Sequence, residues 1–288
     1  MLRTTPGAGL ELAIHSKGSW GGESDYVHSL RQGLLDIAVV PPSVAGISKN
    51  LAFLDVMFLW RDRDHWRKVM DGPVGERIAE MIEAGTNQGS APGLKVLGFW
   101  GGSRRQLFAR KSGYATLADL AGVRIGVQDN PMNVEIWRSL GLEPVSVPLR
   151  NSIALLEAEI VECVEAELGN AVALKLTGVA PYVALTSHAI TVRPLVMSEA
   201  TWRKLSPEQQ QALTRAAAAA TAVVRELELK QDDEALDALR ASGARIAEFG
   251  ETAELRTRSE ALRRRLADEA GLSRLLRAIE DEAGGPKR

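Results

Sequence analysis

An α/β fold with a parallel sheet is predicted for this chain, and three observations carry the prediction. Between Gly113 and Arg203, β-branched runs alternate with helical patterns, the mark of parallel strands joined by right-handed crossovers. From Ser206 to about Ala241 a helical pattern holds no glycine and no proline beyond Pro207. At 1.5 Å per residue it is about 50 Å long, more than one small lobe, so it is expected to span two and restrict their motion. The 288 residues, 45% of them hydrophobic, suffice for two cores.

In chain order, Leu10–His15 alternates at period two and reads as a strand. A glycine turn leads into a helix from about Ser24 to Gln32, stopped by Gly33, and Leu35–Val40 reads as a buried strand ended by Pro41 and Pro42. Trp66, Val69, Met70, Ile78, Met81 and Ile82 recur at helical spacing as core faces. Residues 85–93 are turn-rich and read as a loop, and Leu94–Trp100 as the next strand.

Leu120–Val127 enters a β-branched run. Asp129 or Asn130 then caps a helix with Pro131 at its first position, and Gly141 stops it. Pro144 to Pro148 brackets a strand, Asn151 caps a helix, and Ile160–Glu165 is a third strand. Ala189–Ser198 is a further strand, and Ser206-Pro-Glu-Gln209 opens the long helix as a capping box. Residues 243–249 read as a short strand, 251–283 as charged amphipathic helices, and the last five as a frayed tail.

Composition limits function. A net charge of −2 argues against a nucleic-acid binder, which needs a basic stripe. Cys163 is alone, so it forms no internal disulfide and reads as a small core residue. No run approaches the ~20 apolar residues of a membrane span. The first residues lack the apolar core of a secretory signal, which by composition alone leaves the chain in the cytoplasm. Metalloprotease, P-loop, dinucleotide and nucleophile-elbow motifs are missing, and His15, His28, His65 and His188 fall in different elements. Neither a cofactor, a metal nor catalysis is expected.

Four landmarks carry a family resemblance: Thr116-Leu-Ala-Asp-Leu-Ala-Gly122, Gly141-Leu-Glu-Pro144, Thr186-Ser-His188 and the segment Ser198–Pro207. They resemble the solute-binding proteins of TRAP transporters, of the dicarboxylate-binding (DctP-like) kind. From Asp119 to His188 they keep that family's register without a gap. The resemblance implies a two-lobed periplasmic-binding-protein-like fold of class II type with a long interlobe helix. It divides the chain into residues 1–103 as lobe I, 104–190 as lobe II, 191–231 as the return strand and spanning helix of lobe I, and 232–288 as a helical part packing on lobe II. It further implies a periplasmic receptor that closes over a small organic acid in an interlobe cleft and delivers it to TRAP membrane subunits. An enzyme on such a scaffold and a degenerate receptor are the competing readings.

Site residues follow from the same resemblance. Glu23 falls at the acidic position facing the ligand cleft, or is simply a first-turn acid favoured by the helix dipole. Arg104 or Arg105 fills the place of an Arg that helps hold the ligand, and either reads equally as a solvated charge. In Gly122-Val-Arg124-Ile-Gly126, Arg124 takes the family's Lys place and Gly126 the place of its carboxylate-binding Arg. Glu165 is kept, the neighbouring Asn becomes Ala166, and Leu149 stands where an aromatic is common. His188 keeps the Thr-x-His place, near the ligand in some members, or is a histidine hydrogen-bonded between elements.

Without the Arg at position 126, two outcomes are expected. Arg124, on the same strand face, reaches back to the ligand; or the ligand is neutral or zwitterionic, held by Trp20, Trp100 and polar groups such as Gln128. The second is favoured slightly. The family also carries a signal peptide, strand and helix ahead of the segment that begins here at Thr4. The expectation is N-terminal truncation, through a mis-assigned start or a degenerate copy.

Overall fold

The computed structural model describes residues 9–15, 19–21, 23–41, 49–85 and 93–282, apart from the side chains of residues 23, 24 and 49–51. Helices are α1 (Glu23–Arg31), α2 (Arg63–Met70), α3 (Pro73–Ala84), α4 (Pro131–Ser139), α5 (Ser152–Glu157), α6 (Leu168–Ala173), α7 (Glu199–Trp202), α8 (Pro207–Ala241), α9 (Thr252–Glu269) and α10 (Ser273–Glu282). Strands are β1 (Ile37–Val39), β2 (Leu94–Ala109), β3 (Arg124–Val127), β4 (Glu143–Ser146), β5 (Cys163–Glu167), β6 (Tyr182–Ser198) and β7 (Arg245–Glu248). Two compact units result: Met1–Leu51 with Val69–Gly101 and Val192–Glu226, and Ala52–Lys68 with Gly102–Thr191 and Leu227–Arg288. Residues 52–68, read with lobe I in the sequence, cluster with the second unit.

In the first unit, β1 lies antiparallel to β6, with Ile37 opposite Met197. Leu30, Val69, Ile78, Ile82 and Leu94 are buried there. On β2, Trp100 donates from Nε1 to Thr221 Oγ1 at 3.0 Å, and Arg225 donates to the Phe99 carbonyl at 2.9 Å. Gly98 makes this approach possible, because a Cβ there would stand 2.7 Å from Thr221 Oγ1.

Two expectations fail in this unit. Residues 10–15 form no strand, and Leu12 and Ile14 are exposed. Alternation makes a strand only where a neighbour supplies a hydrogen-bonded ladder, and among the described residues none pairs with this segment. β1 is shorter than read and only half-buried. The loop at 86–92 and the tail from 283 lie outside the described residues.

The second unit holds the parallel strands. β3 is flanked by β4 and β5, both parallel to it; β5 runs antiparallel to β2, and β7 is parallel to β6. Beneath one face Phe108, Leu156, Val161, Val164, Leu168 and Leu239 form an apolar core. Asn130 is the cap of α4, accepting from the N–H of Met132 at 3.0 Å, and Gly141 takes a positive φ just past the helix. The Ser206–Gln209 capping box forms in both directions, at 3.0 and 3.3 Å. β2 runs on through Gly101 and Gly102 to Ala109, well past the Trp100 end read from the sequence. Among the described residues no helix is long and apolar enough to cross a membrane.

Candidate functional site

Antiparallel pairing sets the site. Arg105 of β2 lies opposite Glu167 of β5, and Leu107 opposite Glu165. Residues paired in this way share a face, so one arginine and two glutamates stand together at the carboxyl end of β5. Gln128 arrives from the carboxyl end of β3, the end of a parallel strand where ligands of α/β sheets bind. Asp55 comes from the 3₁₀ segment Lys49–Asp55.

Arg105 is 2% exposed. Its Nη2 donates to Gln128 Oε1 at 2.8 Å, and its Nε to Glu167 Oε1 at 3.5 Å. Asp55 Oδ2 and Glu165 Oε1 each stand 3.9 Å from its guanidinium. Burial alone would lower the arginine's pKa, but the three carboxylates outweigh it and raise it further above the usual range. Arg105 is therefore a permanent cation, fixed in place.

Glu165 is the hub of the acids. It accepts from the N–H of Gln128 at 3.2 Å and from Trp137 Nε1 at 3.3 Å, with His188 Nε2 at 3.0 Å. Burial works to raise its pKa, yet the bond from His188 and the charge of Arg105 outweigh it and hold the carboxyl at about 2. His188 is fixed on its other side by Thr186 Oγ1, 2.7 Å from Nδ1, and by an edge-to-face contact with Trp137. Thr186, His188 and Glu165 thus stand in the order of a hydroxyl–imidazole–carboxylate relay. Thr186 is 0% exposed, which leaves its hydroxyl beyond the reach of a substrate.

Backbone strain surrounds His188. Ser187 takes φ 45° within β6, its N–H donating to Gln106 Oε1 at 2.8 Å. Phe58 takes φ 53° and donates its N–H to the His188 carbonyl at 2.7 Å. Left-handed backbone costs a non-glycine residue about 1–2 kcal/mol, and such positions gather where function demands a set geometry.

Arg105, Gln128, Glu165 and His188, all named from the sequence, come together here. Of the adjacent pair, Arg105 is buried in this cluster, whereas Arg104 is exposed. Gly126, Leu149 and Ala166 belong to the opposite face. Ala166 is part of the apolar core and Leu149 packs on it. A Cβ on Gly126 would meet Val164 Cγ1 at 2.9 Å, Val147 Cγ2 at 3.1 Å and Val161 Cγ2 at 3.7 Å, so packing by three valines fills the place that the family's Arg takes. Arg124 starts β3, half-exposed beside Glu162 with Nε 3.6 Å from its carboxylate. That is about 13 Å along the strand from Gln128, at the end of β3 away from the Arg105 cluster.

Trp100 is engaged by Thr221 in the first unit, and Trp20 stacks edge-on to His15 there. Glu23 opens α1, but its side chain lies outside the described residues. Asp55, Glu167, Thr186 and Trp137 were missed. Glu167 shares strand parity with Glu165 and was findable; Asp55 and Trp137 sit far off in sequence and carried no local signal. Among the described residues no three His, Cys, Asp or Glu side chains gather as metal ligands do.

The model of the DctP family, described as bacterial extracellular solute-binding protein, family 7, matches residues 2–269. The chain is 28% identical over 238 residues to the 2,3-diketo-L-gulonate-binding periplasmic protein YiaO of Escherichia coli K12, covering 82% of this chain and 70% of that one. A TRAP periplasmic solute-binding protein from Sulfitobacter sp. NAS-14.1, solved with bound α-D-taluronate, is 30% identical with a TM-score of 0.82, over 91% of this chain and 84% of that one. Another from Bradyrhizobium sp. BTAi1, solved with α/β-D-galacturonate, is 26% identical with a TM-score of 0.81, over 92% and 86%.

Proposed function

Because the chain belongs to family 7 of the bacterial extracellular solute-binding proteins, a family of receptors for TRAP transport, we propose that its own ligand is a sugar acid whose carboxylate is held by Arg105. The observation that carries this is the buried Arg105 fork at the carboxyl ends of β3 and β5, kept ionised and oriented by Asp55, Glu165 and Glu167. A planar guanidinium matches a carboxylate in two parallel hydrogen bonds. The sugar acids bound by the Sulfitobacter and Bradyrhizobium proteins and by YiaO supply the class. This replaces the neutral or zwitterionic ligand favoured from sequence, because Arg105 offers a guanidinium that position 126 lacks.

The receptor works outside the cytoplasm and passes its ligand to TRAP membrane subunits. Receptor action needs affinity that differs between conformations, since only a differential shifts their balance.

A thermal-shift series tests the ligand class, with D-galacturonate, D-taluronate and 2,3-diketo-L-gulonate set against galactose and amino acids. A ligand at one hundred times its Kd adds about 2.7 kcal/mol of stability. Melting should rise by several degrees with one or more sugar acids. A rise with galactose or an amino acid alone would discard the proposal.

A further inference from the structure

Arg105 makes its shortest contact with an amide, not with an acid. Gln128 Oε1 accepts from Nη2 at 2.8 Å, while Glu167 stands at 3.5 Å and Asp55 and Glu165 at 3.9 Å. At 3.9 Å a carboxylate holds a guanidinium by its field and not by a hydrogen bond. The acids thus fix where the cation sits, and Gln128 takes one of the two N–H donors at Nη2.

Gln128 differs from those acids in exposure too. It is half-buried, whereas Asp55, Glu165 and Glu167 are 2–3% exposed. Its side chain can swing away without stranding a buried charge. The backbone need not follow, because the Gln128 N–H is tied to Glu165 Oε1 at 3.2 Å. Departure is a rotation about a fixed anchor.

We infer that Gln128 is a removable surrogate for the ligand's carboxylate: its amide oxygen occupies the seat on Arg105 that the acid group takes on binding. This rests on the sugar-acid reading and adds a specificity determinant to it. The exchange replaces a neutral acceptor with an ionised one, and charge-assisted bonds are about twice as strong as neutral ones. An acid displaces the amide. A neutral sugar, whose hydroxyl accepts no better than an amide, does not. Gln128 therefore lowers affinity for acids slightly and excludes uncharged sugars.

Calorimetric titration of wild type, Gln128→Ala and Gln128→Glu with D-galacturonate and with galactose tests this. Gln128→Ala should bind galacturonate roughly threefold to tenfold tighter, the equivalent of one neutral hydrogen bond that no longer has to be broken. It should also bind galactose where wild type does not. Gln128→Glu should bind galacturonate at least about thirtyfold more weakly, since an ionised oxygen now holds Nη2 and repels the ligand. Gln128→Ala binding no tighter than wild type, or Gln128→Glu binding unimpaired, overturns the surrogate role alone. A wild-type protein that binds none of the acids overturns the sugar-acid reading and this role with it.

Discussion

His188 Nε2 stands 3.0 Å from Glu165 Oε2, with both side chains closed to solvent. Trp137 and the Gln128 N–H add two more donors to the same carboxylate. The consequence is a sign as well as a size. A carboxyl held at about 2 in the fold, against ~4.3 in the unfolded chain, contributes its stability above pH ~4.3 and loses it as pH falls towards 2. The contribution is on the order of 3 kcal/mol. Urea unfolding from pH 7 to pH 2.5 should show a steep acid limb that Glu165→Gln flattens. The same limb in both proteins would mean that other carboxyls set the acid sensitivity.

Arg105 and Arg104 are adjacent in sequence and opposite in fate. Replacing Arg105 by Met leaves Asp55, Glu165 and Glu167 buried without their shared cation, which should cost about 3–5 kcal/mol of stability. Arg105→Lys keeps the charge but not the fork, so it should remain folded and lose roughly tenfold to a hundredfold in sugar-acid affinity. Arg104→Ala should change stability by less than about 0.5 kcal/mol and leave affinity alone. Calorimetry and melting on the three variants decide it.

Gly126 is enclosed by Val147, Val161 and Val164. Gly126→Ala should destabilise by about 1–3 kcal/mol through overpacking, and Val164→Ala in the same chain should recover part of that. Gly126→Arg should unfold the protein without improving acid binding. Tighter binding by a folded Gly126→Arg protein would show that position 126 faces the ligand after all.

Arg124 pairs with Glu162 at the far end of β3, both side chains 43% exposed. An exposed pair of this kind is worth about 0–1 kcal/mol. Arg124→Ala should therefore melt within a degree or two of wild type and bind sugar acids with unchanged affinity. A large loss of affinity would restore the reach-back role for Arg124.

Much of the fold was legible because its signals are local. Asn130 and Pro131 start α4, the Ser206–Gln209 box starts α8, and the absence of breakers carries that helix to Ala241, each decided by neighbours within one turn. Leu10–His15 misled because alternation specifies a face, whereas a strand also needs a partner ladder supplied from elsewhere in the chain. Position 126 misled for a related reason. Register assigns a residue to a place, but packing by Val147, Val161 and Val164 decides whether a side chain fits there.

The sequence by itself determined the α/β alternation, the helix ends, the family and the presence of Arg105, Gln128, Glu165 and His188 as candidates. Only the tertiary structure buried Arg105 and left Arg104 exposed, drew in Asp55 and Trp137, and sent Gly126, Leu149 and Ala166 to the apolar face. Helix signals act between residues a few positions apart. A buried charge is set by groups tens of residues away, which strand pairing alone brings within the few ångströms where Coulomb forces and hydrogen bonds operate.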